Sequence, residues 1–153
     1  MSAVSRLAEL GITLPTPPAP VASYVPYTFS GNQVFISGQI PLKDGKPQYI
    51  GKVGHDISLE DAQAAAQLCA INILAQLSAA CDGNLDRVVR CLKLGVFVNA
   101  VPDFGQQPEV ANGASDLMVA VFGDAGKHAR AAVGVGSLPR GVAVEVDAVF
   151  EIS

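Results

Sequence analysis

Residues 129–152 read ARAAVGVGSLPRGVAVEVDAVFEI. In the second half, Val142, Val144, Val146, Ala148, Phe150 and Ile152 alternate with Ala143, Glu145, Asp147, Val149 and Glu151. That period of two marks a strand with two distinct faces, one aliphatic and the other mixed apolar and acidic. Ala129–Gly136 also reads as a strand, and Leu138-Pro139-Arg140-Gly141 is a turn signal between the two. A hairpin in which Leu138 faces Gly141 sets Arg130 against Val149, Ala132 against Asp147 and Gly134 against Glu145. This register places Arg130, Glu145 and Asp147 on one sheet face, away from the valine core. Charged groups on an apolar sheet need partners or solvent. Two readings fit. One is a structural ion pair at an interface; the other is a clamp whose planar guanidinium grips a substrate carboxylate while a glutamate handles water.

Upstream, Val88–Val98 is apolar in long runs, as expected of a strand covered on both faces. Ser58, followed by Glu60 and Asp61, is an N-cap signal for a helix that Asp82-Gly83 ends. Leu59, Ala62, Ala66, Cys69, Ile73 and Leu77 give that helix an apolar face. A second helix, from Glu109 to Phe122, starts behind Pro108 and breaks near Gly123. Tyr24–Phe29 reads as a strand that Pro26 confines to an edge or bulge, and Val34–Gly38 as its neighbour across the Ser30–Gln33 turn. Asp44–Pro47 is another turn, and Gln48–Gly54 a short strand or a glycine-bounded loop. At the amino terminus, Ser2–Leu10 forms a short helix stopped by Gly11, and the proline-rich stretch Pro15–Pro20 is an extended arm. The expected division is therefore an arm at 1–20 and one α/β domain at 21–153, a mixed sheet with two helices packed on one face.

Composition bounds the function classes. Of 153 residues, 50% are hydrophobic and 16% are charged, against about 25% charged in an average domain. Mean hydropathy is +0.35. Such a chain is too apolar for disorder and has apolar surface to hide, for which a subunit interface is the expected sink. A membrane is not: the uncharged run Ala62–Cys81 carries Gln63, Gln67, Asn72 and Gln76 as a polar stripe. A net charge of -4 disfavours a nucleic-acid partner. Cys69, Cys81 and Cys91 lack metal or disulfide spacing and read as reduced core residues of a cytoplasmic protein; Met1–Gly11 lacks the apolar stretch of a secretory signal. His55 and His128 stand apart from any cysteine in sequence, and Gly134-Val135-Gly136 is too short for a dinucleotide fingerprint.

The segments Ala129–Val133, Leu138-Pro139 and Val144–Ala148, with Phe35-Ile36-Ser37-Gly38-Gln39-Ile40-Pro41 and Val96-Phe97-Val98, resemble the motifs of the YjgF/RidA family in that family's order. The resemblance spans roughly residues 20 to 152. It implies a chorismate-mutase-like α/β fold, a homotrimer, and ligand sites in clefts between subunits. It also implies a hydrolase without cofactor or metal, a deaminase of the 2-iminobutanoate/2-iminopropanoate type. Such an enzyme converts enamine and imine intermediates such as 2-aminoacrylate to 2-keto acids and ammonia. Carried over residue by residue, Arg130 matches the family arginine that grips the substrate carboxylate, and Glu145 the glutamate that holds the attacking water. Tyr24 matches the tyrosine that closes the cleft, and Ser37 and Gly38 the turn that lines it. Tyr24 also fits as an interface aromatic, and Gly38 as a bulge glycine. Ala132 stands where active members commonly carry a cysteine, so a backbone contact is retained and a thiol role is lost. The proline arm and the Asn99–Gly113 segment depart from the pattern and point to a divergent subgroup. A non-catalytic trimer that binds small carboxylates is the alternative; an endoribonuclease fits the acidic charge poorly.

Overall fold

Ser58 accepts the backbone N–H of Asp61 at 3.1 Å and starts helix α2, Leu59–Ala80, in the computed structural model of the chain, which describes residues 2–19 and 22–153. Cys81 caps its far end, and Gly83, at a φ of +84°, turns the chain back so that its N–H reaches the Ser78 carbonyl. Ala62, Ala66, Cys69, Ile73 and Leu77 are fully buried, the face expected from their spacing. Helix α3, Gln107–Phe122, carries Pro108 in its first turn and stops at Gly123, φ +64°. The two helices touch backbone to backbone: a Cβ on Gly113 would lie 2.1 Å from the Gln63 carbonyl oxygen. Helix α1, Ala3–Glu9, buries Ala3 and Leu7 in the same core, and its Arg6 donates to the Val121 carbonyl at 3.1 Å. A cation there meets the negative end of α3. The arm's last proline, Pro20, and the expected 20/21 boundary lie outside the described residues.

The main sheet contains β1 (Tyr27–Ser30), β2 (Gln33–Gln39), β5 (Val88–Asn99), β6 (Ala129–Val135) and β7 (Val144–Ile152), in the spatial order β1-β2-β7-β5-β6. A separate two-stranded ribbon, β3 (Leu42–Lys43) and β4 (Lys46–Pro47), flanks the Asp44-Gly45 turn. Strand β1 begins at Tyr27 rather than Tyr24, behind Pro26. Residues 48–54 form the loop of the two readings, joined to the rest by isolated bridges from Ile50 to Val142 and Val53 to Ala100.

The expected hairpin of β6 and β7 does not form. Strand β5 lies between them, parallel to β6 and antiparallel to β7. Parallel neighbours need a crossover, and α3 supplies it. The aliphatic strands take the centre because both their edges must be paired. Strand β6, built largely of alanine and glycine, has less to bury and takes the edge, where most of its residues are exposed.

The register moves the key residues apart. Arg130 faces Leu94, which faces Ala148; Ala131 faces Gly95 and then Asp147; Val133 faces Phe97 and then Glu145. Leu94 and Ala148 belong to the face covered by the helices. Arg130 is therefore on the helix-covered side, and Glu145 and Asp147 are on the other. The shared face expected from the sequence is corrected. Phe35, Phe97, Val133 and Val149 share the uncovered face with the two acids, and Phe35 and Val133 are 42% and 45% exposed.

Replacing Gly113 by alanine forces α2 and α3 apart. The expected loss is about 1–3 kcal/mol of unfolding free energy, read as a lower urea midpoint. Gly105→Ala, with no atom near the added methyl, is the control.

Candidate functional site: an arginine edge and a seated carboxylate pair

Arg130 reaches from the exposed edge strand over α3. Its Nη1 donates to Asn112 Oδ1 at 2.9 Å and to Ser115 Oγ at 3.0 Å. The ion pairs among the described residues join His55 to Asp56, Arg87 to Asp82 and Lys127 to Asp124; Arg130 is in none of them. Within the chain, then, Arg130 pairs with neither Glu145 nor Asp147. What remains is an exposed guanidinium steadied by neutral oxygens, able to take an anion in its planar fork.

On the opposite face the two acids lie over glycines. An added Cβ on Gly38 would meet Glu145 Oε2 at 2.1 Å, and one on Gly95 would meet Asp147 Oδ1 at 2.3 Å. Gly38 and Gly95 are thus required as floors on which the carboxylates rest. Burial raises the pKa of Glu145, and the nearby Asp147 charge raises it further. Burial also raises Asp147, opposed by the Gly95 backbone and the Lys93 ammonium. A carboxyl held above its ordinary range is a better proton acceptor when ionised, the property a general base needs.

Tyr24 and Gly38 line a cavity of about 550 Å3 together with Gln39, Gln76 and Arg140. Ser37 donates its hydroxyl to the Val25 carbonyl at 2.8 Å and its N–H to the Pro26 carbonyl at 2.9 Å, pinning the segment that carries Tyr24. Its hydroxyl is spent on structure. Ala132 sits half-buried against the core beside Val96, on the Arg130 side. The expected site residues thus fall into two groups. Tyr24, Ser37, Gly38 and Glu145 gather around β2 and β7, whereas Arg130 and Ala132 belong to β6. Two strand intervals, about 10 Å, and the thickness of the sheet separate Glu145 from Arg130.

Asn112 and Ser115 were not singled out by sequence reasoning. They sit three apart on α3, each directly after a buried alanine (Ala111 and Ala114), and that shared polar flank of the apolar stripe was their only signal. The three cysteines are free and buried, as expected, and burial pushes the Cys91 thiol up to about 12. None has the low pKa of a nucleophile. Among the described residues no three His, Cys, Asp or Glu side chains are grouped to hold a metal ion, and no helix is long and apolar enough to cross a membrane.

Because Glu145 and Asp147 bind protons more tightly folded than unfolded, their contribution to stability is complete at low pH. It is lost as pH rises through their raised values. Glu145→Gln should therefore melt higher than wild type at about pH 7, with the gain vanishing toward about pH 3. A gain that does not change with pH would contradict this assignment.

A family model described as "YjgF/chorismate_mutase-like, putative endoribonuclease" matches residues 4–146. Protein TCP17 of Trypanosoma cruzi is 49% identical over 150 residues, covering 97% of this chain and 93% of that protein. The crystal structure of Atu1372 from Agrobacterium tumefaciens, of unknown function, superposes with a TM-score of 0.94 at 50% identity, covering 99% of this chain and 92% of that one. Escherichia coli TdcF, solved with bound serine, gives a TM-score of 0.64 at 25% identity, covering 92% and 96%. Motif order, sheet topology and these matches agree: the chain belongs to the YjgF/RidA family.

Proposed function

We propose that this protein is a homotrimeric deaminase of 2-imino acids, with its site completed between copies. The observation that carries this reading is the exposed Arg130 guanidinium, bound to no acid among the described residues of its own chain. The proposed clamp and base lie on different faces of one sheet, so a second copy must bring Glu145 to Arg130. The uncovered apolar face, with Phe35, Phe97, Val133 and Val149, supplies a surface for that association. TdcF, whose structure holds serine, gives a family precedent for a small ligand with a carboxylate.

The chemistry asks little of the protein. An enamine such as 2-aminoacrylate tautomerises to its imine, and water adds to the C=N carbon. Glu145 takes a proton from that water, and the departing nitrogen receives one as the C–N bond breaks. Ammonia and a 2-keto acid result. Arg130 fixes the carboxylate so that the reacting carbon stands before the water, and orientation supplies most of the gain. No cofactor takes part in this scheme. A net charge of -4 speaks against the ribonuclease activity in the family description, and the reading places the protein in the cytoplasm with other metabolic enzymes.

The test generates 2-aminoacrylate with a lyase and follows ammonia release. Arg130→Ala should reduce kcat/KM by about 100-fold or more, and Glu145→Gln should lower kcat by about 10²–10⁴. Sedimentation should give a trimer. Equal rates for wild type and Arg130→Ala would overturn the assignment. Binding of 2-keto acids that requires Arg130 but comes without turnover would support a carboxylate-binding trimer instead.

A further inference from the structure

Behind Arg130 the hydrogen bonds continue. Ser115 Oγ lies 2.8 Å from His128 Nε2, and His128 Nδ1 lies 2.6 Å from the Gly126 carbonyl oxygen. The donors can be assigned by elimination. A carbonyl only accepts, so Nδ1 carries a proton. In the neutral ring Nε2 then accepts, and it takes the hydroxyl proton of Ser115. The lone pairs of Ser115 Oγ face Arg130, whose Nη1 donates to it. Nη1 has two hydrogens, and Asn112 takes the other. Among the described residues the guanidinium is therefore pinned through one nitrogen alone. Its Nε–Nη2 edge is left for a side-on, two-pronged grip on a carboxylate.

We propose that His128 and Ser115 form a relay that positions Arg130, and that a proton on His128 releases it. This rests on the reading of Arg130 as the carboxylate clamp. In the imidazolium both ring nitrogens donate. Nε2–H then points at Ser115 Oγ, the serine hydroxyl loses its acceptor, and a second positive charge stands two hydrogen bonds from the guanidinium. Both changes drive Arg130 off Ser115. The other charged groups on the packed elements are Asp116 beside Ser115 on α3, Lys93 facing Ala129 from β5, and Asp124 and Lys127 in the preceding turn, which pair at 3.3 Å. Among the described residues none of them hydrogen-bonds the ring. Histidine is the side chain suited to switch charge between about pH 5 and 8, so acid is the natural release signal.

The experiment measures binding of 2-oxobutanoate by calorimetry to wild type, His128→Gln and Ser115→Ala. Wild-type affinity should fall by about tenfold between pH 8 and 5.5, the loss of one charge-assisted hydrogen bond. His128→Gln retains an amide near the Nε2 position and carries no titrating proton, so it should bind nearly independently of pH. Ser115→Ala should bind about tenfold more weakly at pH 8 and lose the pH response as well. A variant lacking His128 that titrates like wild type would overturn the relay. Should no form bind the keto acid, the clamp reading has failed. The relay is then read alone by 15N NMR, where His128 must show a protonated Nδ1 and Ser115→Ala must shift the Arg130 side-chain resonance. A protonated Nε2 at pH 8 would refute it.

Discussion

The parallel pairing of β5 with β6 governs the molecule. A strand that leaves β5 at Asn99 can return parallel to it only by travelling the length of the sheet, and α3 makes that journey. The same pairing puts β6 on the outside, turns Arg130 toward α3, and leaves β7 to fill the space between β2 and β5. Had β6 paired with β7 instead, the arginine and the acids would share a face and neutralise one another. The inserted strand keeps Arg130 out of reach of Glu145 and Asp147 of its own chain.

Most of the architecture was legible because it follows from local rules. The Ser58 cap, the apolar spacing from Leu59 to Leu77, Pro108 at the start of α3 and the alternation along β7 each express a period or a terminus. Pairing was not legible, since it depends on which strand has more surface to hide. The Ala-Gly composition of β6 held that information, but the short Leu138–Gly141 turn suggested a simpler route. The error passed directly into the site, where the simple hairpin sets Arg130, Glu145 and Asp147 on a shared face that the register does not form. Family motifs identify residues without stating how the strands that carry them pair.

Glycine plays an unusual part in the acidic half. Gly38, in the irregular stretch of β2 between Ile36 and Gln39, and Gly95 make room for the side chains of Glu145 and Asp147 to lie flat on the sheet. Lying flat removes water from the carboxylates and raises their proton affinity. The missing Cβ atoms thus act, through electrostatics, on the proton affinity of the two carboxyls.

Arg6 joins the first helix to the Val121 carbonyl in the last turn of α3, the helix that carries Asn112 and Ser115. The amino terminus is in this sense a buttress for the exposed Arg130, although the two are far apart in sequence. Choices that look remote from chemistry, such as an alternative start codon or a bulky fusion ahead of residue 2, bear on the platform from which that arginine projects.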